Sequence, residues 1–239
     1  MLQLAIIFLL AIGVFALERL RPARKLPPSK NWYVRATCFN LFQLSLVWIA
    51  GVSWIRWFQG VPLLHLTGNI PPILQGFLFW LLGTFVFYWW HRLRHLDWWW
   101  RIFHQIHHSP TRIEMLTSFY KHPLEITANS IIISAIVYGV FGASVEVGAW
   151  YNVFAVTGEF FYHMNVRTPH WIGYFLQRPE HHSIHHERGV HEYNFGDITL
   201  WDRLFGTFKD TNTFAADAGF AENKEEKVST MLKFKDVQK

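Results

Sequence analysis

Cysteine is almost absent from this chain of 239 residues, in which Cys38 carries the only thiol. A single thiol excludes an internal disulfide framework and any zinc or iron–sulfur site built on several cysteines. The HExxH pattern of zinc hydrolases is absent as well. Any metal chemistry must therefore use other ligands. Cys38 lies in an apolar run, where a lone cysteine is expected to pack as a small hydrophobic side chain.

Charged residues are scarce too, at 16% of the chain, whereas 51% of the residues are hydrophobic, including 22 Phe and 13 Trp. The apolar residues come in blocks, which is typical of a membrane protein. The formal net charge is +5, but much of the basic charge flanks apolar blocks, where it orients membrane proteins and meets anionic headgroups. No basic stripe with interleaved aromatics lies on a polar segment, so we expect no nucleic-acid partner.

Several apolar segments are candidates for membrane helices. The first lacks the basic start and the clear cleavage site of a signal peptide, so we interpret it as a short membrane span. The last two are joined by "GASVEVG" and form either two spans or a re-entrant hairpin, because each is near the lower length limit. The sequence therefore predicts an all-α polytopic membrane helix bundle of four to five spans or re-entrant segments. The candidate segments are residues 2–17, 36–55, 73–90, 126–142 and 148–162.

The distribution of basic residues predicts the orientation of the chain. Lys and Arg recur between residues 18 and 35, whereas the loop over 56–72 carries only Arg56. The positive-inside rule then places the first loop and the C-terminus in the cytoplasm and the N-terminus outside. Thirteen of the fourteen histidines follow residue 90, on the cytoplasmic side, and His65 falls in the outer loop.

The whole chain, 1–239, is predicted to be one domain, because it contains no internal repeat and no low-complexity linker. Residues 1–72 provide the N-terminal spans. Residues 73–210 hold the histidine-rich core, and residues 211–239 form a charged C-terminal tail.

Histidines cluster at helical spacing. Residues three or four apart share one face of a helix, and adjacent imidazoles repel when protonated and waste packing area when neutral. A bound cation explains such clusters. One tetrahedral ion takes four ligands, so nine or ten imidazoles argue for two ions. The clusters are His91 and His95; His104, His107 and His108; and His181, His182, His185 and His186, with His163 alone at the end of the last apolar segment.

The ligand type also indicates the metal. Imidazole suits iron, zinc, copper and nickel, whereas magnesium and calcium prefer oxygen. Two redox-active ions beside a membrane interior suit the activation of dioxygen against an alkyl chain, and iron is the first choice.

Other polar residues have less definite roles. His122 and His191 remain open as ligands, supporting residues or helix caps, while His65 and His170 are expected to be ordinary histidines. Ligating histidines usually donate their second N–H to a carboxylate or a carbonyl. The candidate carboxylates are Asp97, Glu125, Glu159, Glu180, Asp197 and Asp202.

Four segments together resemble a known family: "HRLRH", "HQIHHS", "FYHMNV" and "RPEHHSIHH…NFGD…WDRLFGTF". They are similar to those of the fatty acid hydroxylase/sterol desaturase superfamily of integral membrane oxygenases, over roughly residues 75 to 210. The resemblance implies a membrane helix bundle under a cytoplasmic helical cap that holds a His-rich dimetal site, generally taken as di-iron. Two features depart from the common pattern: the extra His181, and Phe195 where "NYGD" is usual.

Carried over by position, the resemblance assigns nine metal ligands and leaves four residues as possible further ligands or supporting groups. His181 fits its cluster least well, because the HxxHH frame falls on the three histidines that follow it. We expect Asp202 to bond a nearby backbone group or histidine. The nine ligands are His91, His95, His104, His107, His108, His163, His182, His185 and His186, and the four further residues are His122, His181, His191 and Asp202.

The resemblance implies an oxidoreductase that uses O2 and two electrons to hydroxylate, or desaturate, a lipid such as a fatty acyl chain or a sterol. The cofactors are two iron ions, for which zinc can substitute in purified protein. The sequence contains no haem module and no Cys-rich iron site, so the electrons are expected from a separate donor protein or a soluble reductant. The lipid tail is expected to arrive from the bilayer between the spans, along a channel lined by residues such as Phe85, Tyr88, Trp89, Phe154 and Phe161, although for each of these aromatics taken singly plain packing against lipid or another helix is the favoured role.

Two other functions are weighed against this reading. A divalent-metal transporter places its ionisable ligands inside the spans near the middle of the bilayer, whereas these histidines lie at predicted span ends. A zinc-dependent membrane hydrolase needs fewer ligands and a general base. The expected location is a bacterial inner membrane, or the endoplasmic reticulum in a eukaryote.

Overall fold

The computed structural model describes residues 2–58, 62–64 and 70–238, so His65 lies outside the described residues. Within these ranges every regular element is a helix, and β-structure is limited to two isolated bridges. The all-α prediction is therefore confirmed. The helices are α1 (Leu2–Leu20), α2 (Trp32–Val52), α3 (Trp54–Phe58), α4 (Pro72–Arg94), α5 (Asp97–Trp99), α6 (Gln105–His108), α7 (Pro123–Ser134), α8 (Val145–His163), α9 (Pro179–His185), α10 (Thr199–Leu204) and α11 (Val228–Met231).

Shorter helical turns extend or connect these elements. The π-helical turns Trp100–His104 and Ala135–Val140 follow α5 and α7, and the 3₁₀ turns are Met115–Thr117, His170–Tyr174 and Lys224–Glu226.

Three helical stretches among the described residues are long and apolar enough to cross a membrane: Leu2–Leu20, Pro72–Arg94 and Pro123–Val140. They coincide with the first, third and fourth predicted spans. The second and fifth predicted spans fall on α2 and α8, each of which is one continuous helix. The total number of spans stays a prediction.

Helices α4 and α8 form the central pair of the bundle. They approach most closely at Gly76, where an added Cβ would lie 2.5 Å from Trp150 Cβ and 2.9 Å from the backbone nitrogen of Tyr151. Buried aromatic side chains, including Phe79 and Trp80, fill the surrounding core. On either side, α1 packs along α8 and α2 packs along α7. This packing brings the C-terminal ends of α4 and α8 together.

The more polar residues after α4 form a helical cap that is tied to the ends of α1 and α2. The buried carboxylate of Glu18, near the end of α1, accepts backbone N–H groups of Met115 at 2.9 Å and Asn165 at 3.1 Å. At the start of α2, the Trp32 indole donates to Glu114 at 2.6 Å. The cytoplasmic location of this cap stays a prediction.

The expectation that Cys38 packs as a core side chain is wrong, because Cys38 is exposed on α2. The packed face of α2 carries Ala36 and Phe39, which are buried in a cluster with Tyr120 of the cap. Cys38 lies on another face of α2, so its side chain points away from the protein interior.

The close approach of α4 to α8 leads to a stability prediction for Gly76→Val. The added side chain must push Trp150 and the α8 backbone away, and overpacking of this kind costs about 1–3 kcal/mol. We expect a lower midpoint of thermal unfolding in detergent. Gly13→Val is the matched control, because a Cβ at Gly13 meets no atom within 4 Å. Equal midpoints for the two variants would contradict this account of the helix pair.

Candidate metal centre

The first histidine cluster lies where α4 ends. His91 is in the last turn of α4, and His95 follows as its C-terminal cap. The chain then reverses and enters α5, the π-helical turn Trp100–His104 and α6. A π-helical turn inside a helix often accompanies a functional site. Here it ends at His104, directly before the short helix that carries His107 and His108.

The other histidines come from α8 and α9. His163 is the last residue of α8, beside the end of α4. Helix α9 begins at Pro179, a residue whose fixed φ suits the first helical position. His185 is the last residue of α9 and His186 is its C-terminal cap, and the ring of His182 is centred 5.1 Å from that of His185 and 4.8 Å from that of His186.

Nine imidazoles converge in two sets, which we call site 1 and site 2. Within each set, the candidate ligand atoms all lie within 4.8 Å of one another. The two sets together contain the nine histidines that the sequence predicted as ligands, and their ligation stays a prediction. Site 1 consists of His91, His95, His104, His108 and His185, and site 2 consists of His107, His163, His182 and His186.

Backbone carbonyls fix the tautomer of three of these rings. The Nδ1 atom of His91 lies 2.7 Å from the Phe195 carbonyl, and that of His185 lies 2.8 Å from the Tyr193 carbonyl. His163 Nδ1 lies 2.9 Å from the carbonyl of Glu159. A carbonyl oxygen only accepts, so each Nδ1 carries the proton. The Nε2 atom of each neutral ring is then left with a lone pair that is available to a metal.

A carboxylate orients a fourth ring. Glu125 pairs with Arg94 and accepts the Nδ1–H of His104 at 3.1 Å. His104 Nε2 then also carries a lone pair, and it lies 2.9 Å from His91 Nε2. Neither nitrogen has a proton to donate, so the contact brings two lone pairs together. A cation between the rings removes this repulsion, and the residues therefore fit a metal.

Burial keeps four of the rings in sites 1 and 2 neutral. It lowers the pKa of His185 to about 3, since the protonated ring loses its hydration. Burial, assisted by neighbouring imidazoles, also holds the pKa values of His107, His108 and His182 well below their usual range. Near neutral pH these rings are unprotonated, as a metal ligand must be.

Several of these ring nitrogens lack a hydrogen bond. Among the residues that the structure describes, both nitrogens of His95, both nitrogens of His108 and Nε2 of His185 are buried without a partner. Buried polar atoms normally have a partner, and a missing ion is one recognised reason when they do not. All three residues belong to site 1.

The other histidines that the structure describes lie outside the two sites. His122 caps α7, with its Nδ1 accepting the backbone N–H of Leu124 at 3.0 Å. His181 is buried on another face of α9 and contacts Asp210 at 2.9 Å, and the exposed His170 contacts the same carboxylate. The ring of His191 is centred 5.2 Å from that of His108, close to site 1 but outside its ligand set.

Asp202 shapes the loop beside site 1. Its carboxylate accepts the backbone N–H groups of Phe195 and Gly196, each at 2.8 Å, and the Thr207 hydroxyl at 2.7 Å. The same loop supplies the Phe195 carbonyl that orients His91. Asp202 therefore bonds a nearby backbone, as expected, and acts on the histidines only through that loop.

Other candidate carboxylates have separate partners. Glu159 pairs with Lys121 at 2.6 Å, Asp197 accepts from Tyr162 at 3.4 Å, and Asp97 is exposed. Glu180 lies in α9, where it accepts the backbone N–H of Thr168 at 2.9 Å. Among the candidate carboxylates, Glu125 accepts from His104, and a Glu159 oxygen lies 3.5 Å from Nδ1 of His163. Main-chain carbonyls contact the rings of His91, His163 and His185.

A cavity lies against both sites on the bundle side. One face of α4 lines it with Trp80, Thr84, Phe87 and His91, and α8 contributes further residues that include His163. The five aromatic residues predicted to line a substrate channel are all described, and none of them lines this cavity. The channel itself stays a prediction, and on α4 these aromatics lie on the other face, which packs on the cap. The rings of Phe85 and Trp201 are centred 5.0 Å apart, for example.

Comparison with known proteins agrees with this geometry. The family description "Fatty acid hydroxylase" matches residues 76–207, which is more than half of the chain. The chain belongs to the fatty acid hydroxylase family. The resemblance drawn from the histidine segments is thus confirmed, and the match contains all nine histidines of sites 1 and 2. With its apolar helices and its membrane-enzyme relatives, the chain is an integral membrane protein.

Three relatives illustrate the range of the family. The very-long-chain aldehyde decarbonylase GL1-11 of Oryza sativa is 31% identical over 119 residues, covering 48% of this chain and 43% of the rice protein. The alkylglycerol monooxygenase of Homo sapiens is 29% identical over 135 residues, covering 54% and 29% of the two chains. The methylsterol monooxygenase 2-1 of Arabidopsis thaliana is 40% identical over 52 residues, covering 22% and 19%. The chain spans less than half the length of these relatives. No solved structure matches it.

The loop around Asp202 leads to a second stability prediction. In Asp202→Asn, one amide NH2 group faces donors, so at least one buried N–H or O–H loses its acceptor at a cost of about 1–3 kcal/mol. We expect a lower thermal midpoint for this variant. Asp217→Asn is the control, because Asp217 is exposed. An unchanged midpoint in Asp202→Asn would show that the loop does not depend on this carboxylate.

Proposed function

We propose that the chain is a membrane-bound di-iron oxygenase that hydroxylates a lipid. The observation that carries the proposal is the convergence of nine imidazoles in two sets, with His91 Nε2 and His104 Nε2 placed lone pair to lone pair at 2.9 Å. Two ions account for this arrangement, since one tetrahedral ion cannot use nine ligands. Imidazole-only ligation suits iron, although zinc can occupy such sites in purified protein.

The five histidines of site 1 would hold one ion, and the four histidines of site 2 would hold the other. When bound there, the iron pair supplies the activation of dioxygen with two external electrons. The overall reaction inserts one oxygen atom into a C–H bond, and the second oxygen atom leaves as water with two electrons and two protons. Desaturation of the same chain is an alternative outcome.

The chain's own residues hold the ligands and position the substrate. The carbonyls of Glu159, Tyr193 and Phe195 keep three rings in the tautomer that directs Nε2 inward. The Arg94–Glu125 pair does the same for His104. The apolar walls around Trp80 and Phe87 exclude water and hold a carbon close to the histidines, since a small displacement of a reacting atom slows a reaction strongly.

The relatives support a lipid substrate. Their names specify very-long-chain aldehydes, alkylglycerols and methylsterols, all of which are largely apolar. A fatty acyl chain or a sterol is therefore the proposed substrate class, and ether cleavage remains within the chemistry of the family. We further propose a separate electron-donor protein or soluble reductant on the cytoplasmic side. The bacterial inner membrane and the endoplasmic reticulum are the two proposed locations.

The two alternative functions fit the geometry less well. A transporter needs ligands along a path through the bilayer, whereas His91, His95 and His163 lie at the ends of α4 and α8. A zinc-dependent hydrolase needs one ion with an open position, and two complete sets of imidazoles exceed that need.

Metal analysis of the detergent-purified protein tests the proposal. We expect close to two iron ions per chain after reconstitution with iron. Changing His185→Ala in site 1 or His107→Ala in site 2 should each lower the iron content by about one ion. His170→Ala should bind as much iron as the unaltered protein, because His170 belongs to neither site.

The same preparation then allows an activity assay. Oxygen consumption with a reductant and a panel of acyl lipids and sterols should depend on the intact sites. If the protein bound one ion or none, and if the two site variants changed nothing, the dimetal proposal would be withdrawn and the transporter alternative would regain support.

A further inference from the structure

The cavity beside sites 1 and 2 extends deep into the helix bundle. It is lined by both His91 and Trp80 on α4, and by both His163 and Asn152 on α8. Each pair is eleven residues apart, so at the helical rise of 1.5 Å per residue the lining residues span about 16 Å along the helices. An alkyl chain bound there would follow the two helices with one end at the histidines.

The far end of this cavity meets a groove that is open to the surrounding lipid. Helices α1 and α2 pack on α8 and α7, respectively, but make little contact with each other. The groove between them is lined by Leu4, Ile7 and Phe8 of α1 and by Leu44 and Val47 of α2. These side chains are apolar, so an alkyl chain is a suitable occupant.

Four residues line both the groove and the cavity, and we call them the junction. The same side chains border both spaces, so a rearrangement of this one layer of side chains would join the groove between α1 and α2 to the cavity. The junction consists of Gln43, Phe119, Asn152 and Val156.

Four charged residues line the cavity: Arg94, Lys121, Glu159 and Asp197. Both cations among them are already paired with a carboxylate of the protein. Arg94 contacts Glu125, and Lys121 contacts Glu159. The four junction residues are themselves uncharged, and Lys121, whose Nζ lies 5.6 Å from the centre of the Phe119 ring, is paired with Glu159. A carboxylate or phosphate placed at the junction would meet no unpaired cation, which is unfavourable in apolar surroundings.

The junction is nevertheless polar, because two amide side chains lie in it. The Asn152 amide donates to the Gly148 carbonyl at 2.9 Å, and its own oxygen accepts no hydrogen bond among the described residues. Gln43 likewise has no side-chain partner within the described ranges. Polar side chains inside a membrane bundle are costly and are often functional. A ligand hydroxyl could donate to the Asn152 oxygen and accept from the Gln43 amide, whereas an ether oxygen could only accept from Gln43.

We propose that the gap between α1 and α2 is a lateral portal that admits a single-chain neutral lipid, tail first. Gln43 and Asn152 bind its uncharged polar group at the junction, while the tail reaches the histidines. The inference rests on the proposed function and deepens it, because it places the reacting carbon about 16 Å from the polar group.

A photolabelling experiment tests the portal without requiring turnover. The probe is a long-chain primary alcohol with a diazirine at its tail end, added to the full-length protein in phospholipid nanodiscs. After irradiation, mass spectrometry should find adducts on cavity residues near the histidines, such as Phe87 and Tyr162. Val156→Trp should abolish these adducts by filling the junction. Val86→Trp, a matched change on the exposed face of α4, should leave them intact.

The amides are tested with the same probe. Gln43→Leu and Asn152→Leu together should lower labelling by the alcohol roughly tenfold, because each change removes a hydrogen bond. The corresponding diazirine alkane has no polar group, so it should label the unaltered protein and the Gln43→Leu/Asn152→Leu double variant alike. The fatty acid with the same chain should label the unaltered protein more weakly than the alcohol does.

The outcomes separate this inference from the proposed function. Full labelling of Val156→Trp would overturn the portal, and preferential labelling by the fatty acid would overturn the uncharged class of lipid. Iron content, measured on the same samples, reports on the dimetal proposal alone. A protein with two irons but without cavity adducts would contradict the portal, whereas normal labelling without iron would contradict the oxygenase.

Discussion

The candidate centre depends on hydrogen bonds that hold imidazole rings with Nε2 directed inward. Three of the acceptors are main-chain carbonyls, those of Glu159, Tyr193 and Phe195, and the fourth is the carboxylate of Glu125. Because these acceptors leave each ring with an inward lone pair, the rings crowd together in a way that a cation relieves. Asp202 holds the loop that supplies the Phe195 carbonyl, and Arg94 pairs with the Glu125 carboxylate that orients His104.

Packing of the membrane helices determines where this centre forms. The close contact of α4 with α8 at Gly76 keeps the two helices together along their length. Their C-terminal ends carry His91 of site 1 and His163 of site 2, and α6 and α9 supply further histidines to both sites. The same two helices form walls of the cavity that leads away from the histidines. One helix pair therefore positions both the histidines and the cavity beside them.

The sequence predicted which helices form and which histidines converge, because both depend on local spacing, whereas metal ligation by these histidines stays a prediction. Apolar length indicated where the long helices lie, and HxxHH spacing indicated which side chains share a face. The sequence did not predict which face of α4 lines the cavity. Phe85 and Phe87 are the same residue type, and they differ only in that Phe85 packs against α10 whereas Phe87 lines the cavity. Every residue has a backbone carbonyl, so the sequence does not show that the carbonyl of Phe195 accepts from a histidine. The proposed roles of Gln43 and Asn152 could not be predicted from the sequence either, because they depend on the gap between α1 and α2.

X-ray absorption spectroscopy at the iron edge of the reconstituted protein tests the central claim most directly, because it reports the atoms that surround the metal. The account predicts a first shell dominated by nitrogen, the outer-shell scattering of several imidazole rings, and loss of part of that signal in the site variants. A first shell of oxygen atoms without imidazole scattering would contradict it. The ion would then be bound elsewhere, and the converging histidines would need another explanation.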